Sequence, residues 1–294
     1  MSDTKIVDLE SWIEKARSDP LKYIERQATE IVLAAIGASP NFGDKIFLKG
    51  GVLMGVMYNS PRQTSDLDFS TCINPAKKIV DEMIAEVNAQ LPRMATILGS
   101  PDVICKVQSV KKKPTEKRFE NYDYPALKMK IGYARRGSQL ERYVNEGRCP
   151  NVIEADISFN EPLVEVEMIK LENQDTCIGV YSIYALIAEK LRALLQQEHR
   201  NRERRQDVYD ISFLIKNFPL ENDELCIVLK ELLQKSRSRS IEPNMHSIDS
   251  KELYKRAKAQ WNTMKIEVGE LPSFEECFEE VRCFYKSLPW DHNT

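Results

Sequence analysis

The chain has 294 residues, of which 42% are hydrophobic and 30% charged, and its formal net charge is -3. At roughly 150 residues per domain this length predicts two globular domains, and it excludes a disulfide-stabilised miniprotein. No apolar run reaches the length of a membrane span, and the N-terminal MSDTKIVDLESW segment is not a secretion signal. We therefore expect a cytoplasmic protein without membrane contact.

The cysteines and histidines exclude several kinds of site. Seven cysteines occur without any CxxC pair, and the three histidines, His199, His246 and His292, stand far apart. This pattern fits reduced thiols better than a disulfide framework or a zinc cage, and it does not indicate a Cys/His nucleophile pair. A metal bound to this chain would need carboxylate ligands.

The first half of the chain combines strand patterns with helical ones. Residues 45–51, KIFLKGG, are a short apolar run ending in two glycines, and the VLMGVMY segment after them predicts a helix. Further strands are predicted where apolar and polar residues alternate, and one more helix where apolar residues recur at helical spacing. The strands are expected at 66–70, 103–109, 126–133 and 152–159, and the helix at 76–91.

From about residue 181 the apolar residues recur at helical spacing. Helices are predicted at 183–194, 208–215, 222–235, 249–264 and 273–287. The fold class is therefore α+β, with a mixed sheet and N-terminal helices in a first domain at 1–175 and a helical domain at 176–294.

Charged residues are distributed unevenly along the chain. Basic residues concentrate in 106–118, in 128–136 and in the HRNRERR segment at 199–205, whereas 267–280 is acidic. One basic block alone is typical of a solvated face, but three blocks favour a polyanion-binding surface if the fold brings them together. The acidic stretch could fold back and screen the basic blocks, or its residues could simply cover the surface of a helix. We favour the second interpretation.

The most informative segment is Gly50-Gly51 followed by Asp66-Leu67-Asp68. Two aspartates separated by one residue on a strand point to the same face, about 7 Å apart, and can coordinate a divalent cation. The glycines let backbone N–H groups approach a phosphate at a helix start. Either motif alone is common in loops, but the combination predicts a metal–triphosphate site.

Phosphoryl transfer at such a site needs a third carboxylate near the attacking hydroxyl. Asp156, in the strand EADIS, is the best candidate because it lies on the polar strand face, where a buried unpaired carboxylate would be costly without a partner such as a metal. Glu154 on the same side is the competing ligand, and an exposed face of an edge strand is the alternative explanation.

Four segments of the chain resemble one family. FLKGGVLMGVMY with RQTSDLDFS, then VIEADISF, YSIYALIAEKLRALLQQ and RRQDVYDISFL, resemble motifs of the AbiEii/AbiGii nucleotidyltransferases in the order of that family. These enzymes are relatives of the DNA polymerase β superfamily and include the MenT toxins. The resemblance covers roughly residues 45–216, and it implies a polymerase β-like nucleotidyltransferase domain followed by a helical bundle.

The resemblance also implies roles for four further residues. Lys190 would contact a nucleotide phosphate and Asp207 would orient it or a bound group, while Arg62 and Thr64 would line the nucleotide pocket. Lys190 lies at the edge of its helix's apolar stripe, where a surface lysine with a packed stem is the alternative. For Asp207 the alternative is a helix N-cap.

One position departs from the family pattern. Members usually carry Ser or Thr directly after the two glycines, whereas this chain has Val52. Loss of one hydroxyl–phosphate hydrogen bond costs about 0.5–1.5 kcal/mol, which weakens nucleotide binding without abolishing it. A different nucleotide preference, or an enzyme that binds without turnover, stays open.

The predicted function is a Mg²⁺-dependent (or Mn²⁺-dependent) nucleotidyltransferase with an NTP as substrate. By similarity to the family, its acceptor is an RNA, the 3′ end of tRNA, and the protein is the toxin of a toxin–antitoxin or phage-defence pair with a cognate antitoxin. Two alternatives remain: a small-molecule nucleotidyltransferase, and a catalytically inactive nucleotide-binding or interaction module.

Overall fold

The computed structural model of the protein describes residues 5–172 and 175–290, and His292 lies outside them. The chain divides into two compact units. The first unit extends from the start of the described chain to Met57 and from Thr64 to Val180. The second consists of Tyr58–Gln63 and the chain from Tyr181 onward. No helix among the described residues is long and apolar enough to cross a membrane.

The first unit contains eight strands and six helices among its described residues. The strands are β1 (Lys5–Val7), β2 (Ile46–Lys49), β3 (Leu67–Thr71), β4 (Val103–Lys113), β5 (Ala126–Arg135), β6 (Val152–Ser158), β7 (Val166–Leu171) and β8 (Cys177–Tyr181). The helices are α1 (Leu9–Glu14), α2 (Pro20–Gly37), α3 (Gly50–Tyr58), α4 (Lys77–Ile97), α5 (Glu116–Phe119) and α6 (Gln139–Asn145).

The strands form one mixed sheet in the order β1-β7-β8-β2-β3-β6-β5-β4. Strand β2 is antiparallel to β3 and parallel to β8, whereas β3 is parallel to β6. Strand β5 is antiparallel to both of its neighbours, β6 and β4, and β4 forms an edge of the sheet. The mixed sheet predicted from the sequence is therefore confirmed.

Alternation along the strands gives the sheet one apolar and one polar face. Side chains at alternate positions of β3, β5 and β6 are fully buried, and helices α2 and α4 pack against β4 and its neighbours on this side. The buried residues are Leu67, Phe69, Leu127, Met129, Ile131, Ile153, Ala155 and Ile157. The intervening residues, most of them charged, lie on the opposite face, because successive side chains of a strand point to opposite faces of the sheet.

The second unit is helical, as its apolar spacing predicts. Its elements are α7 (Ile183–Gln196), α8 (Arg205–Asn217), α9 (Asn222–Arg237), α10 (Lys251–Lys258), α11 (Lys265–Val268) and α12 (Phe274–Ser287), with 3₁₀ turns at Ser247–Asp249 and Trp261–Met264. Helix α7 packs against α8 and α9, and α8 packs against α12.

Several elements differ from their predicted extents; helix α4, for example, continues past the predicted position 91 to Ile97. The helix expected at 249–264 ends at Lys258, since Gln260 adopts a left-handed conformation (φ +56°). The buried Trp261 that follows donates its indole N–H to the Pro272 carbonyl at 3.0 Å, a tertiary contact that turns the chain. Strand β4 continues past the predicted position 109 to Lys113, because it stays paired with β5 as far as Lys113 and Ala126.

Candidate active site

The Gly50-Gly51 corner joins β2 directly to α3. Gly50 has φ +78°, a conformation that favours glycine, and a Cβ at this position would lie 3.0 Å from the Cβ of Asp68. The glycine therefore allows both the sharp corner and the close approach of the aspartate. The first N–H groups of α3 have no partners within the helix, so this corner can bind an anion.

A row of charged residues crosses the polar face of the sheet beside this corner. Lys49 of β2 pairs in register with Asp68 of β3, Asp68 with Asp156 of β6, and Asp156 with Lys128 of β5. Neighbouring strands lie about 4.8 Å apart, so the two carboxylates occupy adjacent positions with one lysine on each outer side.

The carboxylate pair has the properties of a cation site. The Oδ1 atom of Asp156 is buried and has no hydrogen-bond partner among the described residues, which is costly for a carboxylate unless a cation binds it. Within the described ranges, no three His, Cys, Asp or Glu side chains form a metal-binding group by themselves. Mg²⁺ is usually held by one or two carboxylates together with substrate phosphates, so the residues present fit that ion.

Glu154, the competing ligand in the sequence, is already paired. Its carboxylate forms ion pairs with Lys128 and, at 2.8 Å, with Lys130. Hydrogen bonds from these two lysines lower the pKa of Glu154. The arrangement favours Asp156 over Glu154 as the third carboxylate.

Asp66 lies directly before β3 and is exposed. Partial burial of its carboxyl raises its pKa; the charges of Glu154 and Asp156 add to this rise, and Lys128 opposes it. The carboxyl of Asp66 is thus close enough to Glu154 and Asp156 for their charges to act on its pKa.

The remaining nucleotide-binding candidates of this unit have different exposures. Thr64 is half-buried in the segment before β3, and Gly51 is buried at the start of α3. Val52 is 1% exposed. The side chain that replaces the usual Ser or Thr therefore belongs to the core.

The second unit holds Arg62, Lys190 and Asp207 in one buried cluster around a residue that the sequence analysis missed, Asp210. Arg62 donates to both carboxylate oxygens of Asp210 at 2.8 Å, and Lys190 Nζ donates to Asp210 at 2.6 Å and to Asp207 at 3.4 Å. Asp210 is fully buried, and Lys190 is 6% exposed. The ammonium of Lys190 is thus held between two carboxylates in this arrangement.

The charges in this cluster favour the ionised forms of Asp210 and Lys190. Burial raises the pKa of Asp210, but Lys190 and Arg62 outweigh it and hold that pKa below the usual range. Burial likewise lowers the pKa of Lys190, and the two aspartates more than reverse this. Asp210 lies one helical turn after Asp207 on α8, a spacing that could have identified it from the sequence.

The acidic stretch is divided between local ion pairs and this cluster. Glu267 accepts hydrogen bonds from Gln206 at 3.0 Å and from Arg62 at 3.5 Å. On α12, Glu280 pairs with Lys216 at 2.8 Å. Glu275 pairs with Lys258 and Glu279 with Arg282, so four of the acidic residues in this stretch each meet a basic side chain of the same unit.

The chain is similar to known proteins in its sequence profile and in its fold. The sequence profile of the family described as "Nucleotidyl transferase AbiEii toxin, Type IV TA system" matches residues 31–280. MenT4, a nucleotidyltransferase toxin from Mycobacterium tuberculosis, is similar in structure with a TM-score of 0.57 and 14% identity, covering 96% of this chain and 90% of its own. JHP933 from Helicobacter pylori has a TM-score of 0.50 and 14% identity, covering 90% of both chains.

At 14% identity these two structures show a shared fold, while no curated protein sequence matches the chain. The family profile spans most of the chain, including the glycine corner, the strands that carry Asp68 and Asp156, and the helices that carry Lys190 and Asp207. The chain belongs to the AbiEii nucleotidyltransferase toxin family.

Proposed function

We propose that this toxin nucleotidyltransferase transfers a nucleoside monophosphate from an NTP to the 3′ end of tRNA, using Mg²⁺ bound by Asp66, Asp68 and Asp156. One observation carries the proposal: Asp68 and Asp156 are register neighbours on the polar sheet face, and Asp156 keeps a buried oxygen without a hydrogen-bond partner among the described residues. Such a pair of like charges is unfavourable without a cation.

A divalent cation at these carboxylates would neutralise triphosphate charge and stabilise the leaving pyrophosphate. The backbone N–H groups of Gly50 and Gly51 bind phosphate oxygens at the start of α3. Asp156 accepts the proton of the acceptor's 3′ hydroxyl, whose oxygen forms a bond to the α-phosphorus. The bond from that phosphorus to the bridging oxygen breaks, and pyrophosphate leaves with its electron pair.

The roles that the family resemblance implies for Lys190, Asp207, Arg62 and Thr64 belong to the same proposal. In the second unit, Asp207 Oδ2 is buried without a hydrogen-bond partner among the described residues, although Arg204 lies 3.6 Å away. An under-satisfied carboxylate beside a buried lysine is typical of a functional site. We expect Asp207→Asn to reduce nucleotide transfer while Asp210 keeps Lys190 in place.

The tRNA acceptor is proposed from the family resemblance together with the basic residues beside the carboxylates. Phosphate contacts from lysine and arginine supply most of the sequence-independent affinity for RNA. A cognate antitoxin would restrain the activity in the cytoplasm, where both NTP and tRNA are present.

The test is incubation of the purified protein with total RNA, Mg²⁺ and each α-³²P-labelled NTP in turn. We expect label in RNA of tRNA size with at least one nucleotide, and no label when EDTA removes the metal or when Asp66→Ala replaces the wild type. Periodate oxidation of the RNA destroys its 3′ hydroxyl, so it should also prevent labelling. Ser158→Ala, on the same face of β6 as Asp156, is the matched control and should label RNA normally.

Each contrary result identifies a different alternative. Label on a small molecule instead of RNA would identify a small-molecule nucleotidyltransferase. Nucleotide binding without transfer to any acceptor would identify an inactive binding module. Either result would refute the proposed activity.

A further inference from the structure

Two lysines of the edge strand lie on the same sheet face as the carboxylates. Lys111 of β4 pairs in register with Lys128, the neighbour of Asp156, and Lys113 pairs with Ala126, the neighbour of Ser158. Register partners project to the same face, so the charged row continues from Asp156 through Lys128 to Lys111.

The lysines of this row differ in how their charge is compensated. Lys128 and Lys130 both pair with Glu154. Lys111 and Lys113 are exposed, and neither forms a hydrogen bond or ion pair with any residue whose side chain the structure describes. Lys111 and Lys113 of the edge strand therefore carry positive charge that is available to a ligand on this face.

On this face, helix α6 covers the other end of the hairpin. Helix α6 packs there through Val144 and Tyr143 against Ala134 and Ile104. Ile104 and Ala134 are register partners at the opposite end of the β4–β5 pair from Lys111 and Lys113. The lysine end thus offers an open basic surface beside the carboxylates.

The spacing suits an extended polyanion. Lys111 is two strands from Asp156, about 10 Å along the row, and a flexible lysine side chain adds further reach. An acceptor whose terminal hydroxyl lies at Asp156 would meet these lysines only if it continued as a chain across β5. A small-molecule acceptor would not extend that far.

We propose that Lys111 and Lys113 bind the backbone phosphates that follow the reacting end of a single-stranded RNA acceptor. This inference rests on the proposed function and specifies how that acceptor is held. The β4–β5 hairpin supplies sequence-independent affinity and directs the 3′ end toward the carboxylate pair.

The test measures binding of a fluorescent single-stranded RNA with a free 3′ hydroxyl over a KCl series. The double variant Lys111→Ala/Lys113→Ala is compared with Lys45→Ala/Arg93→Ala, which removes the same charge from exposed positions elsewhere in this unit. All proteins also carry Asp68→Asn, so no transfer takes place during the measurement. Thermal denaturation checks that each variant is folded.

We expect the hairpin variant to bind RNA roughly tenfold more weakly at low salt, with a slope of log affinity against log salt smaller by about 1.4, or 0.7 per lost phosphate contact. The control should keep the slope of the parent that carries Asp68→Asn alone, and Lys111→Arg/Lys113→Arg should restore binding. NTP binding should be equal in all variants.

The two proposals fail in different ways. If Asp68-containing protein labels RNA but the hairpin variant binds RNA with the affinity and slope of the control, the hairpin inference is wrong and the proposed activity stands. If no NTP labels RNA, the proposed activity is wrong. An unchanged salt slope in the hairpin variant would independently refute RNA binding by Lys111 and Lys113.

Discussion

Asp68 of β3 and Asp156 of β6 are register partners in a parallel strand pair, so their carboxylates occupy adjacent positions on one face of the sheet. Lys49 and Lys128 are their outer neighbours in the same row. The lysines limit the repulsion between the aspartates but leave a buried oxygen of Asp156 without a hydrogen-bond partner in the described chain. A bound cation would complete this arrangement.

Asp156→Asn should reduce nucleotide transfer by at least about 10²-fold, because it removes a ligand charge and the proton acceptor from the site. The fold should persist, since the substitution also removes the repulsion between two adjacent carboxylates. Single-turnover transfer kinetics and thermal denaturation measure the two effects. Retention of transfer near that of Ser158→Ala would show that Asp156 has no role in the reaction.

Gly50→Ala should destabilise the protein and also stop transfer. The added Cβ meets a left-handed backbone at φ +78° and the side chain of Asp68, whose Cβ would be 3.0 Å away. The backbone conformation alone costs about 1–2 kcal/mol. Urea denaturation and transfer assays measure the two losses.

Gly137→Ala is the matched control for this prediction. Gly137 has φ +79°, but a Cβ there would meet nothing within 4 Å. It should lose about 1–2 kcal/mol of stability to backbone strain and transfer nucleotide normally. Equal loss of transfer in both variants would argue that the corner acts through general stability and not through Asp68.

Asp210→Asn should destabilise the second unit by about 3–5 kcal/mol, because it leaves the buried cations of Arg62 and Lys190 without their shared counter-charge. The same substitution at the exposed Asp223 of α9 should change stability little. Chemical denaturation of both variants tests the difference. A loss at position 210 no greater than at 223 would contradict the role of the cluster in stability.

The lowered pKa of Asp210 predicts that stability depends on pH. Burial raises the pKa of Asp210, but the charges of Lys190 and Arg62 lower it by more. The pKa of Asp210 is therefore lower in the folded than in the unfolded chain. Its contribution to stability is therefore complete above the unfolded pKa of about 3.9 and is lost as the pH falls through the folded value. Denaturation between pH 2.5 and 5 should show a steeper loss in the wild type than in Asp210→Asn.

The pKa of Glu30 in α2 predicts the opposite dependence of stability on pH. Burial, together with Glu10 and Asp8, raises the pKa of Glu30 to about 7. Its effect on stability is most favourable below the unfolded pKa of about 4.3, and it declines as the pH rises to about 7. Glu30→Gln should therefore be more stable than the wild type by about 2–3 kcal/mol at pH 8, with little difference at pH 4.

A neighbouring substitution checks the cause of this effect. Glu10→Gln removes one of the charges that raise the pKa of Glu30 and should give a smaller gain at pH 8. Denaturation at pH 4, 6 and 8 distinguishes the variants. A gain for Glu30→Gln that is equal at all three pH values would show that proton binding is not involved.

The strands and the glycine corner could be predicted from the sequence because their signals are local. Alternation in VIEADISF places Asp156 on the polar face of β6, and the pair of glycines after KIFLK predicts the turn into α3. Strands β7 and β8 were not predicted, since neither Val166–Leu171 nor Cys177–Tyr181 shows clear alternation. Their place in the sheet depends on pairing with other strands.

The sequence by itself determined the family, the α+β class and which carboxylates are candidates, because motif spacing and side-chain periodicity are properties of neighbouring residues. Only the tertiary structure decided that Asp68 lies beside Asp156, that Glu154 is occupied by two lysines, and that Asp210 holds Arg62 and Lys190. Strand register and helix packing join residues that are far apart in the chain, and no local pattern encodes which of them meet.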